Sequence, residues 1–342
     1  MSAVIVAEAG FILAGTHPEA DPSGGLESVL RLIAVGEDLG YQVAGVRQRQ
    51  LERGISSALP LLAAASQRTA EIRLETDVVP LGHETPFRLA EDFATVDALS
   101  LGRVNIGISA STPHAEVVRG LGRPDADDDI DRYELIERFL SALEGHDLAE
   151  EPIATPYGPQ IPRILPHVRG LRERVWLGGG SERSIRWAAR RGLGLLLGNV
   201  TSGDGSQSFE DAQRAQIDDY EAHFIDTATR VAAERVIVPF DGATRAQREH
   251  YRAYAATRTE RTKQANTLGE RTVIFQRDLI GTADEVIQRL HDDPSFDGRT
   301  GLRVALPYGF AEDEYVQILT AIRSHVLPEL GWSPRTRTEI AA

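Results

Sequence analysis

Three consecutive glycines and two serines near the middle of the chain could hold an anion. Residues 175–190 read VWLGGGSERSIRWAAR: an apolar, strand-like run meets the glycines and a serine, then continues as a helical pattern. Glycine has no Cβ, so a ligand can approach its backbone N–H groups, and a helix N-terminus favours phosphate. The hydroxyls of Ser181 and Ser184 could add donors. The same residues also suit a tight turn followed by a helix N-cap without any ligand. The pattern is neither a Walker A loop nor the spaced-glycine dinucleotide fingerprint.

Such a loop needs a strand before it and a helix after it, and this alternation runs through the whole chain. Short apolar or β-branched runs alternate with amphipathic helical stretches, which is typical of parallel strands joined by crossover helices. The candidate strands cover residues 3–9, 43–47, 72–79, 103–108, 175–178, 194–198, 235–240 and 302–306. Eight repeats predict an α/β fold of the (β/α)8 TIM-barrel type; a doubly wound open sheet is the rival, but it usually has fewer strands. We expect one domain over residues 1–335 and a disordered tail over residues 336–342.

Longer, turn-rich segments interrupt this pattern at residues 111–129, 151–170, 199–208 and 259–278. Most of them follow the carboxyl ends of strands, where the loops of a barrel form the active-site face. The segment 259–278 is polar and irregular, so we expect a mobile lid there. An ordered surface excursion that packs on a partner subunit is the alternative interpretation.

The composition limits the classes of partner. The formal net charge of −14 disfavours nucleic acid and anionic membrane surfaces, since Lys and Arg mainly hold such partners. The chain has no cysteine, which excludes disulfides, thiolate catalysis and Cys-ligated metal. No run of apolar residues approaches a membrane span, the first residues lack the basic start of a signal peptide, and no His and acidic residues have metal-ligand spacing. We therefore expect a cytoplasmic protein without a metal site.

Four blocks of sequence together resemble the bacterial luciferase-like superfamily of flavin-dependent monooxygenases. In chain order they read ALPLLAAASQRTAEIRLETDVVPLGHETPFRLAEDF, RLAEDFATVDALSLGRVNIGIS, GGGSERSIRWAARRGLGLLLGN and DLIGTADEVIQRL. The resemblance extends from Gly40 to about Leu330, in the order and spacing of the superfamily. It implies a (β/α)8 barrel with an extra segment, in agreement with the strand count.

The resemblance also implies a flavin site. Its members bind FMN, usually reduced and as a cosubstrate, or in one branch a deazaflavin. The flavin phosphate would lie against Gly179, Gly180, Ser181 and Ser184. A non-proline cis peptide at Thr76–Asp77 would lie beneath the flavin ring, where Asp77 replaces the small apolar residue of many relatives. Two further residues would border the flavin: Ser109, in place of a cysteine, and Asn199, at the end of the sixth strand.

The catalytic positions depart from the superfamily. Luciferases carry Glu-His-His after the second strand, and the aligned residues are Gln48, Arg49 and Gln50. Arg49 could stabilise negative charge but could not act as a general base, because a guanidinium keeps its proton. Arg47 should face the same side as Arg49 if strand alternation continues, although both could be surface charges. Two histidines on strand-to-helix loops, His83 and His114, are candidates for the missing proton transfer.

Three hypotheses for the activity remain open at this point. The first is a monooxygenase that uses reduced FMN from a separate flavin reductase, and O2, to oxygenate a small organic substrate. The second is a deazaflavin-dependent hydride-transfer oxidoreductase on the same barrel. The third is a flavin-binding protein without catalysis. By analogy with relatives we expect a homodimer.

Overall fold

Eight parallel strands form a closed barrel in the part of the chain that the structure describes. The structure is a computed structural model that describes residues 5–111, 115–120, 131–203, 205–226, 228–268 and 271–334. The barrel strands are β1 (Ala9–Leu13), β2 (Val43–Val46), β3 (Arg73–Thr76), β4 (Val104–Ser109), β5 (Val175–Gly178), β6 (Gly194–Leu197), β7 (Val231–Arg235) and β8 (Gly301–Ala305). Their order around the barrel is β3-β2-β1-β8-β7-β6-β5-β4, and the pairing of β4 with β3 closes it. The predicted (β/α)8 barrel is confirmed.

The helices surround the barrel. They are α1 (Pro22–Asp38), α2 (Ala58–Ser66), α3 (Pro86–Leu99), α4 (Ala115–Gly120), α5 (Arg132–Leu143), α6 (Glu182–Arg190), α7 (Phe209–His223), α8 (Arg245–Thr259), α9 (Ala283–His291) and α10 (Glu312–Ala321). A π-helix (Ile322–Val326) and short 3-10 helices complete the helical layer, among them Leu81–His83 and Glu260–Thr262. Local sequence explains their starts: α1, for example, begins with Pro22 after Asp21, whose carboxylate accepts a 2.8 Å hydrogen bond from Gly24 N.

The apolar core lies between the strands and the helices, while the inside of the barrel is partly ionic. Between the layers, for example, the rings of Phe93 and Phe139 meet edge to face at 5.9 Å and join α3 to α5. Inside the barrel, Arg303 of β8 donates to both carboxylate oxygens of Glu75 on β3, at 2.6 and 3.0 Å. Asn105 of β4 donates to the same carboxylate at 3.0 Å. The buried Glu75 carboxylate is thus paired on both oxygens, as burial requires, while Nη1 of Arg303 has no hydrogen-bond partner among the described residues.

Two predicted strands are displaced along the chain. The first strand is Ala9–Leu13 instead of residues 3–9, and the seventh is Val231–Arg235 instead of residues 235–240. The pair Glu234–Arg235 resembles a solvent-exposed strand end in the sequence, yet both side chains are buried. Arg235 instead points away from the barrel and pairs with Asp293 at 2.7 Å, between two phenylalanine rings. The apolar run that was predicted as the strand, Ile237–Pro239, pairs outside the barrel with Leu279–Gly281.

Additional strands lie beyond the carboxyl ends of the barrel strands. Val79–Pro80 extends the barrel wall beside β4. The strands Val200–Ser202, Asn266–Leu268 and Arg271–Phe275 form an antiparallel sheet, and Ile153–Thr155 pairs with Gly158–Gln160 as a hairpin. The expectation of an irregular segment over residues 259–278 is therefore wrong for most of its described part. In the sequence, the polar side chains of this small, outlying sheet conceal the pattern that is typical of strands.

Candidate active site

An open pocket lies at the carboxyl-terminal mouth of the barrel, and the space of about 270 Å³ between its walls includes the solvent at its opening. Apolar residues at the ends of β1, β7 and β8 form one part of its wall. The polar part of the wall consists of Arg47, Asn199, Glu234, Tyr254, Arg258 and Tyr308. In (β/α)8 enzymes the active site lies at this face, because the loops that follow the strands converge there. The pocket is therefore the candidate active site.

A buried ion pair crosses the mouth of the barrel. Arg47 follows β2, and its Nη2 lies 2.6 Å from Oε2 of Glu234 on β7, while Nη1 donates to the Tyr308 hydroxyl at 3.2 Å. The two side chains are only 15% and 7% exposed. Burial opposes the guanidinium charge, but Glu234 and Tyr308 outweigh it and raise the pKa of Arg47. Arg47 is thus a fixed cation in the pocket wall. Glu234 Oε1 is buried and has no hydrogen-bond partner among the described residues.

Asp77 directly follows β3 and carries an unusual carboxyl group. Its Oδ2 atom is buried and has no hydrogen-bond partner in the described part of the chain. This oxygen lies above β2, 3.4 Å from the place where a Cβ would stand on Gly45. Burial, with additional repulsion from Glu75 and Glu234, raises the pKa of Asp77 to about 7, although Arg47 and Arg303 act in the opposite direction. Asp77 therefore titrates in the neutral range.

The non-proline cis peptide lies between Asp77 and Val78, one bond later than the resemblance implied at Thr76–Asp77. Thr76 itself is fully buried and joins β3 to β4. Its hydroxyl donates to Gly107 O at 2.8 Å and accepts from Gly107 N at 2.9 Å. A Cβ on Gly107 would collide with the Thr76 carbonyl oxygen, so only glycine permits this approach. Thr76 therefore connects β3 to β4 in the barrel wall. The hydroxyl of Ser109, at the end of β4, forms a hydrogen bond with the hydroxyl of Ser111 at 2.9 Å.

The glycine–serine stretch forms the start of α6. Ser181 is the N-cap, and a capping box joins it to Ser184: each hydroxyl accepts from the other residue's backbone N–H, at 3.2 and 3.1 Å. A Cβ on Gly179 would lie 2.6 Å from Ser184 Oγ, whereas one on Gly180 would meet only Gln216 Nε2, at 3.7 Å. Gly179 is thus needed for the cap, and Gly180 leaves open space beside it. Gly179 N donates to Leu196 O at 3.4 Å, which places the stretch beside the end of β6 and Asn199.

Asn199 lines the pocket, and its contact with a flavin stays a prediction. Two of the candidate catalytic residues lie elsewhere. Gln48 accepts a 3.0 Å hydrogen bond from Ala58 N at the start of α2. Arg49 lies at the surface, half exposed, and pairs with Glu52 at 3.1 Å. Strand alternation predicted Arg47 and Arg49 on the same side, but β2 ends at Val46 and the alternation ends with it.

One of the two candidate histidines lies in the described residues. His83 ends the short helix Leu81–His83 and is half-buried. His114 lies outside the described residues. No group of three or more His, Asp or Glu side chains with the geometry of a metal site occurs in the described ranges. The helices described there include none that is long and apolar enough to cross a membrane.

Four polar residues of the pocket are not among the residues predicted from the sequence: Glu234, Tyr254, Arg258 and Tyr308. Glu234 had a local signal, since period-two alternation in VAAER places it on the same face as Ala232, inside the barrel. Arg258 lies in the last turn of α8 and makes two hydrogen bonds to Asp278, at 2.6 and 3.0 Å. This pairing neutralises Arg258. Its guanidinium also lies 5.0 Å from the centre of the Tyr254 ring.

Known proteins resemble this chain in sequence and in fold. The profile of the family described as luciferase-like monooxygenase matches residues 8–294. The Bacillus subtilis (strain 168) protein YwcH is 25% identical over 185 residues, which cover 53% of this chain and 54% of that protein. The N-acetyl-S-alkylcysteine monooxygenase of the same organism is 24% identical over 200 residues, covering 58% and 57%. The chain thus matches little more than half the length of these curated relatives.

Solved structures share the fold at low sequence identity. Monooxygenase RslO1 from Streptomyces bottropensis has a TM-score of 0.70 and 20% identity, with 94% of this chain and 99% of that chain covered. The oxygenating constituent of 3,6-diketocamphane monooxygenase from Pseudomonas putida, solved with FMN, has a TM-score of 0.64 and 16% identity, covering 94% and 98%. An F420-dependent secondary alcohol dehydrogenase has a TM-score of 0.63 and 14% identity, covering 95% and 99%. Because the family profile covers most of the sequence, the chain belongs to the luciferase-like monooxygenase family.

Proposed function

We propose that this enzyme uses reduced FMN and O2 to oxygenate a small organic substrate. The observation that carries the proposal is the position of the glycine-cleared start of α6, directly after β5 and beside β6, at the face of the closed barrel where the pocket also lies. Family membership supports the reaction class. When bound, the reduced flavin would supply the electrons that activate O2.

The residues present fit such a cofactor. Gly180 would admit the phosphate group, since nothing but one side-chain atom borders the space of its missing Cβ. Ser181 and the first-turn N–H groups of α6 would surround that group with donors and with the positive end of the helix dipole, while the buried Ser184 hydroxyl, which donates to Ser181 O at 2.8 Å, would hold the loop in place. Asp77 would tolerate an anionic reduced flavin below pH 7, since its raised pKa lets the carboxyl group keep its proton. Arg47 would add a fixed positive charge in the pocket wall.

The chain's own residues would shield and orient the reactants. The sheet made of Val200–Ser202, Asn266–Leu268 and Arg271–Phe275 begins directly after β6, at the mouth of the barrel. Asn199, just before this sheet, presents an amide to the pocket. The roles of Gln48, Arg49, His83 and His114 as catalytic residues remain predictions. Arg47 lines the pocket and Arg49 does not, so the geometry favours Arg47 as the arginine that faces the reactants.

A test needs chemically reduced FMN, candidate substrates and 18O2. We expect reduced FMN to bind the full-length chain without oxygen, and one atom of 18O to enter a substrate after oxygen is admitted. A chain that binds no FMN at saturating concentration contradicts the proposal. Bound flavin that is merely reoxidised, with every substrate tried, would favour a non-catalytic flavin-binding protein.

A deazaflavin-dependent oxidoreductase is the second candidate. This candidate is supported by an F420-dependent secondary alcohol dehydrogenase, whose similar fold covers almost the whole chain. The discriminating measurement is turnover without oxygen: hydride transfer between F420 and a substrate proceeds anaerobically, whereas oxygenation stops. We further propose a separate flavin reductase as the electron source and a homodimer as the assembly, the latter measurable by analytical ultracentrifugation.

A further inference from the structure

The loop that follows β8 carries the pocket residue Tyr308 and is fixed on both sides of it. The Tyr315 hydroxyl, on α10, donates to Pro307 O at 2.6 Å and accepts from Phe310 N at 3.2 Å. One hydroxyl thus binds the backbone before Tyr308 and the backbone after it. A group that is held in this way before a ligand arrives loses little conformational freedom on binding.

Two further contacts hold the same loop. Gly309 N donates to Thr16 Oγ1, beyond the end of β1, at 3.0 Å. The ring of Phe310 stacks on the ring of Tyr251 on α8, with the ring centres 5.3 Å apart and the planes at 8°. The half-buried Tyr308 side chain therefore lines the pocket from a support that joins three parts of the barrel.

The hydroxyl of Tyr308 has a proton to donate. Arg47 Nη1 donates to this oxygen at 3.2 Å, so the guanidinium occupies one of its lone pairs. The hydroxyl makes no other hydrogen bond within the part of the chain that the structure describes. A phenol can accept and donate at the same time, and a cation at its oxygen polarises the O–H group. Tyr308 therefore presents a donor that a ligand oxygen can satisfy.

The charged groups of the pocket wall are balanced in pairs. Arg47 lies 2.6 Å from Glu234, and Arg258 lies 2.6 Å from Asp278. Glu234 Oε1 is enclosed, so this carboxylate keeps no open oxygen for a ligand donor. The apolar part of the wall consists of Ile12, Ala14, Val236, Ala305 and Leu306. Such a wall suits an uncharged, largely apolar molecule that carries an acceptor oxygen.

Two nearby arginines with an unpartnered nitrogen do not alter this balance. Arg303 Nη1 and Arg261 Nε are both buried and have no hydrogen-bond partner among the described residues. Arg303 belongs to the layer below the pocket, and the Arg261 guanidinium packs 4.6 Å from the centre of the Phe275 ring. Neither arginine lines the pocket, so neither adds an unbalanced cation to its wall.

We propose that Tyr308 determines substrate specificity: its hydroxyl donates a hydrogen bond to the carbonyl oxygen of an uncharged substrate. Describing this ligand as the substrate rests on the proposed function. Arg47 is the positioning residue for the hydroxyl, because its N–H group directs the proton of Tyr308 away from the ion pair. A molecule of the same shape without an acceptor leaves the donor unpaired, and the site rejects it for that reason.

The test uses acetophenone and isopropenylbenzene as probes, with the full-length chain and without flavin. The two molecules have nearly the same shape, but a CH2 group replaces the carbonyl oxygen in isopropenylbenzene. We expect acetophenone to bind at least about fivefold more tightly, the effect of one hydrogen bond that the hydrocarbon cannot make. Ligand-detected NMR titrations measure both dissociation constants. Isotope-edited infrared spectroscopy should show a lower C=O stretching frequency for bound acetophenone than for acetophenone in hexane.

One variant and one control locate the effect. Tyr308→Phe keeps the ring and removes the hydroxyl, so it should weaken acetophenone binding about fivefold and leave isopropenylbenzene within about twofold. It should also raise the C=O stretching frequency of bound acetophenone. Tyr251→Phe makes the same change at a buried tyrosine whose hydroxyl donates to Gln317 at 2.7 Å, away from the pocket wall. This control should keep both the preference and the frequency.

Equal affinities for the two probes, no binding of acetophenone, or a preference that survives Tyr308→Phe overturns the proposal. If Tyr308→Phe fails to fold, an unshifted C=O frequency in the unchanged chain still overturns it. A failure of the proposed oxygenation has a different signature, because FMN binding and 18O incorporation are then lost while the flavin-free preference for acetophenone persists.

Discussion

Arg47 Nη2 and Glu234 Oε2 lie 2.6 Å apart although the two residues are 187 positions apart in the chain. The contact joins the ends of β2 and β7 across the mouth of the barrel. It fixes a cation in the pocket wall beside the carboxyl group of Glu234, whereas the second arginine of the wall, Arg258, pairs with Asp278. The pair therefore determines both the shape and the charge of the site.

Removing the guanidinium should destabilise the fold. We expect Arg47→Met to lower the free energy of unfolding by about 3 kcal/mol, because Glu234 would remain buried without its partner. The double variant Arg47→Met/Glu234→Gln should recover part of that loss, since no buried charge is then left alone. Urea denaturation of the two variants measures both effects. Equal stability of Arg47→Met and the unchanged chain would show that the pair is dispensable.

The hydroxyl group of Thr76 should contribute more to stability than the volume of the side chain does. Thr76→Val keeps the shape of the side chain but leaves both Gly107 N and Gly107 O without this partner, so we expect a loss of about 2 kcal/mol in unfolding free energy. Thr95→Val is the matched control, because the exposed Thr95 hydroxyl binds a helix carbonyl that water can reach. That control should change stability by less than about 0.5 kcal/mol. Similar losses in the two variants would contradict the structural role of Thr76.

The two glycines before Ser181 should respond differently to alanine. Gly180→Ala should leave stability nearly unchanged, because its Cβ meets only Gln216 Nε2 at 3.7 Å, yet it should weaken FMN binding about tenfold by filling the phosphate space. Gly179→Ala should destabilise the chain, since its Cβ would press on Ser184 Oγ. Thermal unfolding and anaerobic FMN titration separate these effects. Unimpaired FMN binding by Gly180→Ala would place the phosphate elsewhere.

Asp77 should make stability depend on pH. Its pKa rises from 3.8 in the unfolded chain to about 7 in the folded chain, so the folded state holds a proton that the unfolded state has lost. Its contribution to stability is therefore fully present below pH 4 and decreases through pH 7, with a slope of about 1.4 kcal/mol per pH unit between. Asp77→Asn should remove this component. The difference between the two unfolding curves over pH 5 to 8 measures it, and parallel curves would refute it.

The sequence predicted the barrel because its signals are local. The run Val175–Gly178 is apolar, β-branched at its start and bounded by glycine, so the predicted strand and the observed one coincide. Glu234 and Arg235 show where local signals fail: charge suggests a surface, but each side chain is buried against a partner that is distant in sequence. Arg49 shows the same limit, because alternation cannot tell where a strand ends. The position of the Glu234 carboxyl group in the pocket follows only from contacts between residues that are distant in sequence.

The polar layer of Arg303, Glu75 and Asn105 limits how molecules enter and leave the pocket. These side chains fill the barrel one step below Asp77 and Ala305, and they are at most 3% exposed. The far end of the barrel is therefore closed to a molecule in the pocket, which must leave through the opening by which it entered. Substrates and products therefore share one opening. A product that dissociates slowly delays the binding of the next reactant.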